Sequence, residues 1–227
     1  NDFFARRLKP GARPFAQEPE LLCSPCDGRL RAWQDIDIHN LVQVKGWTYT
    51  LAELLADRKL AEKYQGGTCI LIHLAQDDYH RFHFVDQGAC GPPQRLKGYY
   101  YSVHPIALQA VPRLYCRNKR EISLFRSKHF GDIVYVEVGA KLVGAIVQTY
   151  TPGAYVQRGE EKGYFKFGGS TVILFLEKDV VEVDRDLLEQ TAMGYEVKVA
   201  AGEVIGRRKK GKEPVREHGS QPAAIEQ

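Results

Sequence analysis

Short runs of β-branched and aromatic residues, separated again and again by Gly, Pro, Asp or Asn, constrain this chain more than any other feature. They fall at residues 68–74, 132–138, 142–149, 164–167, 171–176, 180–183 and 195–199. Runs of this length and composition read as strands. Two segments carry helical signals instead. In 51–64, Thr50 and Glu53 form a capping box, Leu51, Leu54, Leu55, Leu60 and Ala61 make one apolar stripe, and Gly66 and Gly67 end it. In 185–193, Asp184 stands at the cap position and Gly194 at the stop. The expected fold is therefore mainly β (α+β), an antiparallel core with a few short helices. Residues 136–144 and 197–206 echo one another as strand, turn and strand ending in Gly. That echo extends the expectation to a barrel-sandwich-like core, duplicated if the two units share an origin.

A chain of 227 residues can bury a sizeable core, and 1–206 read as one domain. Its longest apolar stretches, such as 172–176, fall far short of the ~18 residues of a membrane-spanning helix. The net charge of +4 is too small to argue for nucleic acid, and no nucleic-acid partner is expected. Residues 1–14 and 207–227 each carry a local +3, which leaves −2 for the rest. After Arg207 the apolar periodicity stops, so 207–227 are expected to be a basic, disordered tail. Basic ends of this kind are either solvated or drawn to an anionic membrane surface. Five cysteines, an odd number without regular spacing, indicate a reducing compartment. Cys23 and Cys26 lack the further ligands a zinc site needs, and no metal is expected.

Three places concentrate side chains that folding alone does not require. Asp27 sits in a Pro-Cys-Asp-Gly turn, where it could face a cleft or simply close an Asx-turn. His80 and His83 lie three apart after a strand and offer acid–base chemistry, or a metal site if Asp77 or Asp78 joined them. Ser170 follows Gly168 and Gly169 and precedes an apolar run; a β-turn would use the same letters. The phosphate loop that needs Gly-Lys-Ser before a helix is absent, as is the Gly-x-Ser-x-Gly elbow. Taken together, Asp27, His83 and Ser170 are the residue types of an orienter, a base and a nucleophile.

The stretch Phe3 to Pro14, Ser24-Pro-Cys-Asp-Gly-Arg-Leu30, Asp78-Tyr-His-Arg-Phe-His83, Asn118-Lys-Arg120, Val138-Gly-Ala140 and Gly168-Gly-Ser-Thr171 resemble the phosphatidylserine decarboxylases in order and spacing, over residues 3 to about 206. The resemblance implies a self-processing enzyme that uses a pyruvoyl group made from its own Ser170 and no added cofactor or metal. In such enzymes the serine attacks the preceding carbonyl, here that of Gly169, and the resulting ester eliminates. The chain would divide into 1–169 and 170–227, the first piece remaining as a second subunit. The pyruvoyl ketone would then condense with the substrate amine and accept electrons as CO2 leaves. By the same resemblance His83 is the base, Asp27 its orienter, and His80 the group near the departing carboxylate or the proton donor. The implied substrate is a phospholipid at an anionic membrane surface. The implied location is cytoplasmic and peripherally membrane-associated, with a homodimer left open.

Two departures stand beside the match. Phe84-Val-Asp-Gln-Gly88 replaces the family's usual Pro and Asp-Gly turn, and His104-Pro105 stands where Asn-Pro is usual. Both bear on substrate preference rather than reaction type. The alternatives are a soluble decarboxylase of a free aromatic amino acid, a barrel-sandwich binding module without catalysis, and an Asp-His-Ser hydrolase.

Overall fold

The structure, a computed structural model, describes residues 5–44, 46–140, 145–166 and 169–209. β1 (Leu21–Cys23) and β2 (Gly28–Gln34) flank the turn that carries Asp27, and β3 (Leu41–Val44) and β4 (Trp47–Tyr49) form a hairpin. The helix expected over 51–64 is instead two, α1 (Leu51–Leu55) and α2 (Arg58–Glu62). Thr50 and Glu53 do close the capping box of α1. Ala56 then turns left-handed, with φ 51°, and the Asp57 carboxylate caps α2 through the Leu60 amide at 2.9 Å. An Asp able to cap a new helix competes with continuing the old one.

β5 (Thr68–Leu74) runs through the centre, and the short strands β6 (Arg81–His83), β7 (Gly88–Cys90) and β8 (Gln94–Leu96) follow it. α3 (Pro105–Ala110) and α4 (Leu114–Arg117) lead into β9 (Arg120–Ser127) and β10 (Gly131–Val138). Then come β11 (Ile146–Gln148), β12 (Tyr155–Val156), β13 (Glu161–Phe165) and β14 (Ser170–Leu176). β15 (Val181–Val183), α5 (Arg185–Ala192), β16 (Val197–Val199) and β17 (Val204–Arg208) complete the described chain.

The principal sheet has the antiparallel order β12-β7-β9-β10-β14-β5-β2-β16, with β8 also on β9. Its central strands are buried on both faces. Along β5, Ile70, Ile72 and Leu74 enter one apolar cluster while Cys69 and Leu71 enter the other; along β14, Val172, Leu174 and Leu176 oppose Ile173 and Phe175. Burial on both sides explains why these strands read as unbroken apolar runs rather than as alternations. Three-stranded sheets β1-β17-β15 and β11-β13-β6 and the β3-β4 hairpin complete the architecture.

The mainly β, antiparallel expectation holds, but the sheet does not close into a barrel. Its path ends at β12 and β16, strands of two and three residues, too short to seal the edges against each other. Among the described residues, the two echoing segments sit in different places. Val136 lies inside the central strand β10, whereas Val197 begins the edge strand β16, and 141–144 lie outside the described residues. At the C-terminal end, β17 carries the folded chain through Arg208, so Arg207 and Arg208 belong to a sheet rather than to the expected tail. Residues 210–227 of that tail lie outside the described residues.

Candidate active site

Ser170 is the first residue of β14, paired with Leu74 at the end of β5. It is fully buried, and its Oγ has no hydrogen-bond partner among the described residues; the same is true of Thr171 Oγ1. A buried hydroxyl left unsatisfied costs about 1–3 kcal/mol, so the start of β14 holds a destabilising group that packing alone does not call for. Gly169, the residue before it, lines a cavity of about 340 Å³ together with His73, Ala75, Gln76, Val103 and His104. Gly168 lies outside the described residues. A methyl group on Gly169 would stand 3.4 Å from Leu74 O and 3.7 Å from His73 Nε2, so this glycine is not demanded by crowding.

The imidazole that reaches Gly169 is therefore His73, one the sequence reading did not single out. A signal was present: His73 interrupts an otherwise apolar strand at a position where both neighbours are core residues. Burial, the larger influence, pulls its pKa below the ordinary 6.5 against the opposing pull of Glu196. His104, noted only as a departure from the family pattern, caps α3 by accepting from the Ile106 amide at 3.4 Å and forms part of the same cavity wall.

His80 stands one layer behind that wall. It is fully buried, its Nε2 lies 3.3 Å from the carbonyl of Gln76, and burial lowers its pKa. Asp78 accepts the Ala75 amide at 2.7 Å and so fixes the turn between them.

His83 is held by three neighbours. Its Nδ1 lies 3.0 Å from Gly159 O, its Nε2 lies 3.3 Å from Tyr79 Oη, and the ring is stacked on Tyr79 and tilted against Phe15. A carbonyl can only accept, so neutral His83 carries its proton on Nδ1 and presents the Nε2 lone pair, the tautomer a general base needs. Burial lowers its pKa below the ordinary 6.5.

Asp27 occupies the same neighbourhood but does not bond to His83. Its carboxylate accepts from Arg13 Nε at 2.8 Å and from Arg13 Nη2, and from the Ala201 amide at 2.8 Å. The carbonyl of Gly159, not Asp27, orients the His83 ring; Asp27 acts on it only through space, favouring the charged form. Arg13 and Phe15 belong to one N-terminal segment, so this strap covers both Asp27 and His83. It is held at two further points, by Arg81 on Ala5 O at 3.1 Å and by Arg158 on Ala16 O at 2.9 Å. The structure thus gathers Asp27, His83 and Tyr79 in one cluster, and Gly169 and His73 at the cavity, with Ser170 buried next to Gly169 in the chain. No hydrogen bond joins Ser170 to either His80 or His83.

A pyruvoyl group made from residue 170 fits this arrangement. Its precursor hydroxyl is buried and unengaged among the described residues, and Gly169, on the other side of the bond to be cut, lines the cavity. Among the described residues, no three His, Cys, Asp or Glu side chains are grouped to hold a metal ion, and no helix is long and apolar enough to cross a membrane.

The comparisons with known proteins agree with the motif pattern. A family model described as phosphatidylserine decarboxylase matches residues 1–207. The phosphatidylserine decarboxylase proenzyme of Clostridium novyi (strain NT) is 61% identical over 208 residues, covering 92% of this chain and 70% of that protein. The proenzyme of Clostridium perfringens (strain SM101 / Type A) is 56% identical over 208 residues, at 92% and 71% coverage. That of Desulfitobacterium hafniense (strain DSM 10664 / DCB-2) is 56% identical over 212 residues, at 93% and 71%. A family match over residues 1–207, with identity of this extent over about nine-tenths of the chain, leads to one conclusion: this chain belongs to the phosphatidylserine decarboxylase family.

Proposed function

We propose that this chain is a self-processing carboxy-lyase that converts phosphatidylserine to phosphatidylethanolamine, working at the cytoplasmic surface of a membrane. The observation that carries the reading is the Ser170 hydroxyl, buried without a partner among the described residues, directly after a glycine on a cavity wall. In a member of this family that hydroxyl has a use. Its oxygen bonds to the Gly169 carbonyl carbon as the C–N bond breaks, giving an ester. Loss of the Ser170 α-proton then expels the Gly169 carboxylate. Water replaces the amino group of the dehydroalanine so formed, ammonia leaves, and a keto-acyl terminus remains on residue 170.

His83, in the tautomer set by Gly159 O, is assigned to accept the hydroxyl proton, and Tyr79 Oη holds its lone pair until then. The Arg13–Asp27 pair anchors the strap over His83 and supplies a negative field that favours its protonated form. His73, beside Gly169 and kept neutral by burial, is assigned as a donor to the oxygen of the attacked carbonyl. His80 is assigned to the carboxylate end of the substrate, through the Gln76 segment that lines the cavity. When present, the ketone supplies the electron sink that loss of CO2 requires. The protein's own part is to bind the amine end, exclude water and return a proton.

The test is a substrate panel with the processed protein. Dissolved short-chain phosphatidylserine should yield CO2 and the corresponding phosphatidylethanolamine, while free aromatic amino acids should yield neither. CO2 from the amino acids alone would assign the soluble amino-acid chemistry instead.

A further inference from the structure

Residues 87–120 contain Arg95, Lys97, Arg113, Arg117, Lys119 and Arg120 and no Asp or Glu, a local +6 in a chain whose total is +4. Three of these cations have structural duties. Arg120 donates to the carbonyls of Leu54, Cys116 and Asn118, Arg95 pairs with Glu121, and Arg113 pairs with Glu53. Lys97, Arg117 and Lys119 pair with no carboxylate among the described residues. Arg117 lies instead over the rings of Tyr99 (5.6 Å) and Tyr101 (5.3 Å), and Lys119 over Tyr100 (6.0 Å).

The rings and cations meet because two backbone segments run side by side. The Tyr99 amide donates to Arg117 O and the Lys119 amide to Tyr99 O, each at 2.9 Å. Gly98 permits the approach, since any side chain there would strike the backbone of Arg117 and Asn118. The resulting surface is unusually apolar for one so cationic. Tyr99 is 59% exposed, Tyr100 44% and Ile106 72%. Exposed Trp47 adjoins the same side of α3, its Nε1 donating to Gln109 O, one helical turn beyond Ile106. The surface also opens on the site: Ser102, Val103 and His104, which join Tyr101 to α3, line the cavity beside Gly169.

We propose that this face, centred on Tyr99, Tyr100, Ile106, Arg117 and Lys119, seats the protein on an anionic phospholipid bilayer with the cavity mouth at the lipid surface. The inference rests on the reading of a phospholipid as substrate and adds where and how the protein meets it. Tyr and Trp rings settle at the headgroup level of a bilayer, and Lys and Arg reach phosphates from there. Unpaired cations are drawn to anionic lipid. A second copy of this chain suits the face poorly, because a two-fold contact would set like charges against each other.

Two double variants test the face: Lys97→Glu with Lys119→Glu, and Tyr100→Ser with Ile106→Ser. Each is assayed by co-sedimentation with vesicles of phosphatidylserine in phosphatidylcholine, and by CO2 release from those vesicles and from dissolved short-chain phosphatidylserine. Self-cutting should remain complete, showing that the variants fold. Partition of each variant, and CO2 release from vesicles, should drop about tenfold or more, with release from the dissolved substrate within about twofold of the starting protein. Deleting 210–227 should change partition far less. Undiminished partition of both variants would overturn the proposal. So would binding lost only with the tail, or a variant whose lost partition coincides with a lost dimer on size exclusion. Partition lost as predicted, but no CO2 from dissolved phosphatidylserine with the starting protein, would uphold the face and refute the substrate reading.

Discussion

Two regions of this molecule hold an Asp, a His and a Ser, and they are built in opposite ways. At Asp86 both carboxylate oxygens and the Ser127 hydroxyl are engaged. Ser127 Oγ donates to the carboxylate, as do the His129 amide at 2.8 Å, His129 Nδ1 at 2.9 Å and Arg158 at 3.1 Å, while Ser127 Oγ accepts the Phe130 amide at 3.0 Å. Burial pushes the Asp86 carboxyl up, but the bonds from Ser127 and His129 outweigh it and hold the group below its usual range. At the candidate site, the members are kept apart. Asp27 is spent on Arg13 and Ala201, His83 on Gly159 and Tyr79, and Ser170 on nothing among the described residues. A satisfied cluster joins loops; an unsatisfied hydroxyl beside a cavity is a stored reactant. The letters alone would have made either one a triad.

The comparison can be broken most forcefully at the nucleophile. Ser170→Ala should give a single uncut chain that is as stable as the precursor or more so, by about 1 kcal/mol, because an orphaned hydroxyl is removed. Denaturant melts of the uncut forms and a denaturing gel read both effects, and a large loss of stability would make Ser170 structural. His83→Ala should slow cutting about 100-fold or more, the scale of a lost general base, as followed by a gel time course; cutting at the original rate would remove His83 from the chemistry. In the other region, Asp86→Asn should cost about 3 kcal/mol, the scale of a broken buried pair, in an unfolding titration, while the folded fraction still cuts itself. If that variant folds normally but stays whole, the two clusters have been assigned the wrong way round.

Acid should separate the regions too. Because burial holds His83 below 6.5, its basic form persists as pH falls past that value, and the cutting rate should decline only beneath it. The contribution of Asp86 is present above the unfolded carboxyl's 3.8 and is lost as pH falls below it toward the lower folded value. Cutting should therefore fail at a higher pH than the fold does, as cutting time courses and circular dichroism across pH would measure. The smallest effect is expected at Gly169→Ala, where the methyl meets only ordinary contacts. It should fold and still cut, and a failure to fold would show that the cavity wall is tighter than its contacts indicate.

Much of this was legible before the structure. The central strands 132–138 and 171–176 read clearly because burial on both faces writes a continuous apolar run. β9 did not, since Arg120, Glu121, Ser123 and Arg126 interrupt it; Arg120 and Glu121 are buried and satisfied by distant carbonyls and side chains that no local pattern reveals. The site divided in the same way. Ser170, His80, His83 and Asp27 were visible as motifs, whereas His73 became relevant only once β5 and β14 paired in a register that sets His73 against Thr171. The basic surface between Asp86 and Glu121 was masked by a reading that weighed the two ends against the whole middle, where an excess of acid elsewhere cancels it.

The most direct measurement is the intact mass of the freshly purified protein, together with that of any downstream fragment. The account predicts two chains, the smaller beginning at residue 170, lighter than its encoded sequence by one ammonia and closed to Edman degradation. A single 25.7 kDa chain that persists on incubation and does not react with hydroxylamine would contradict it.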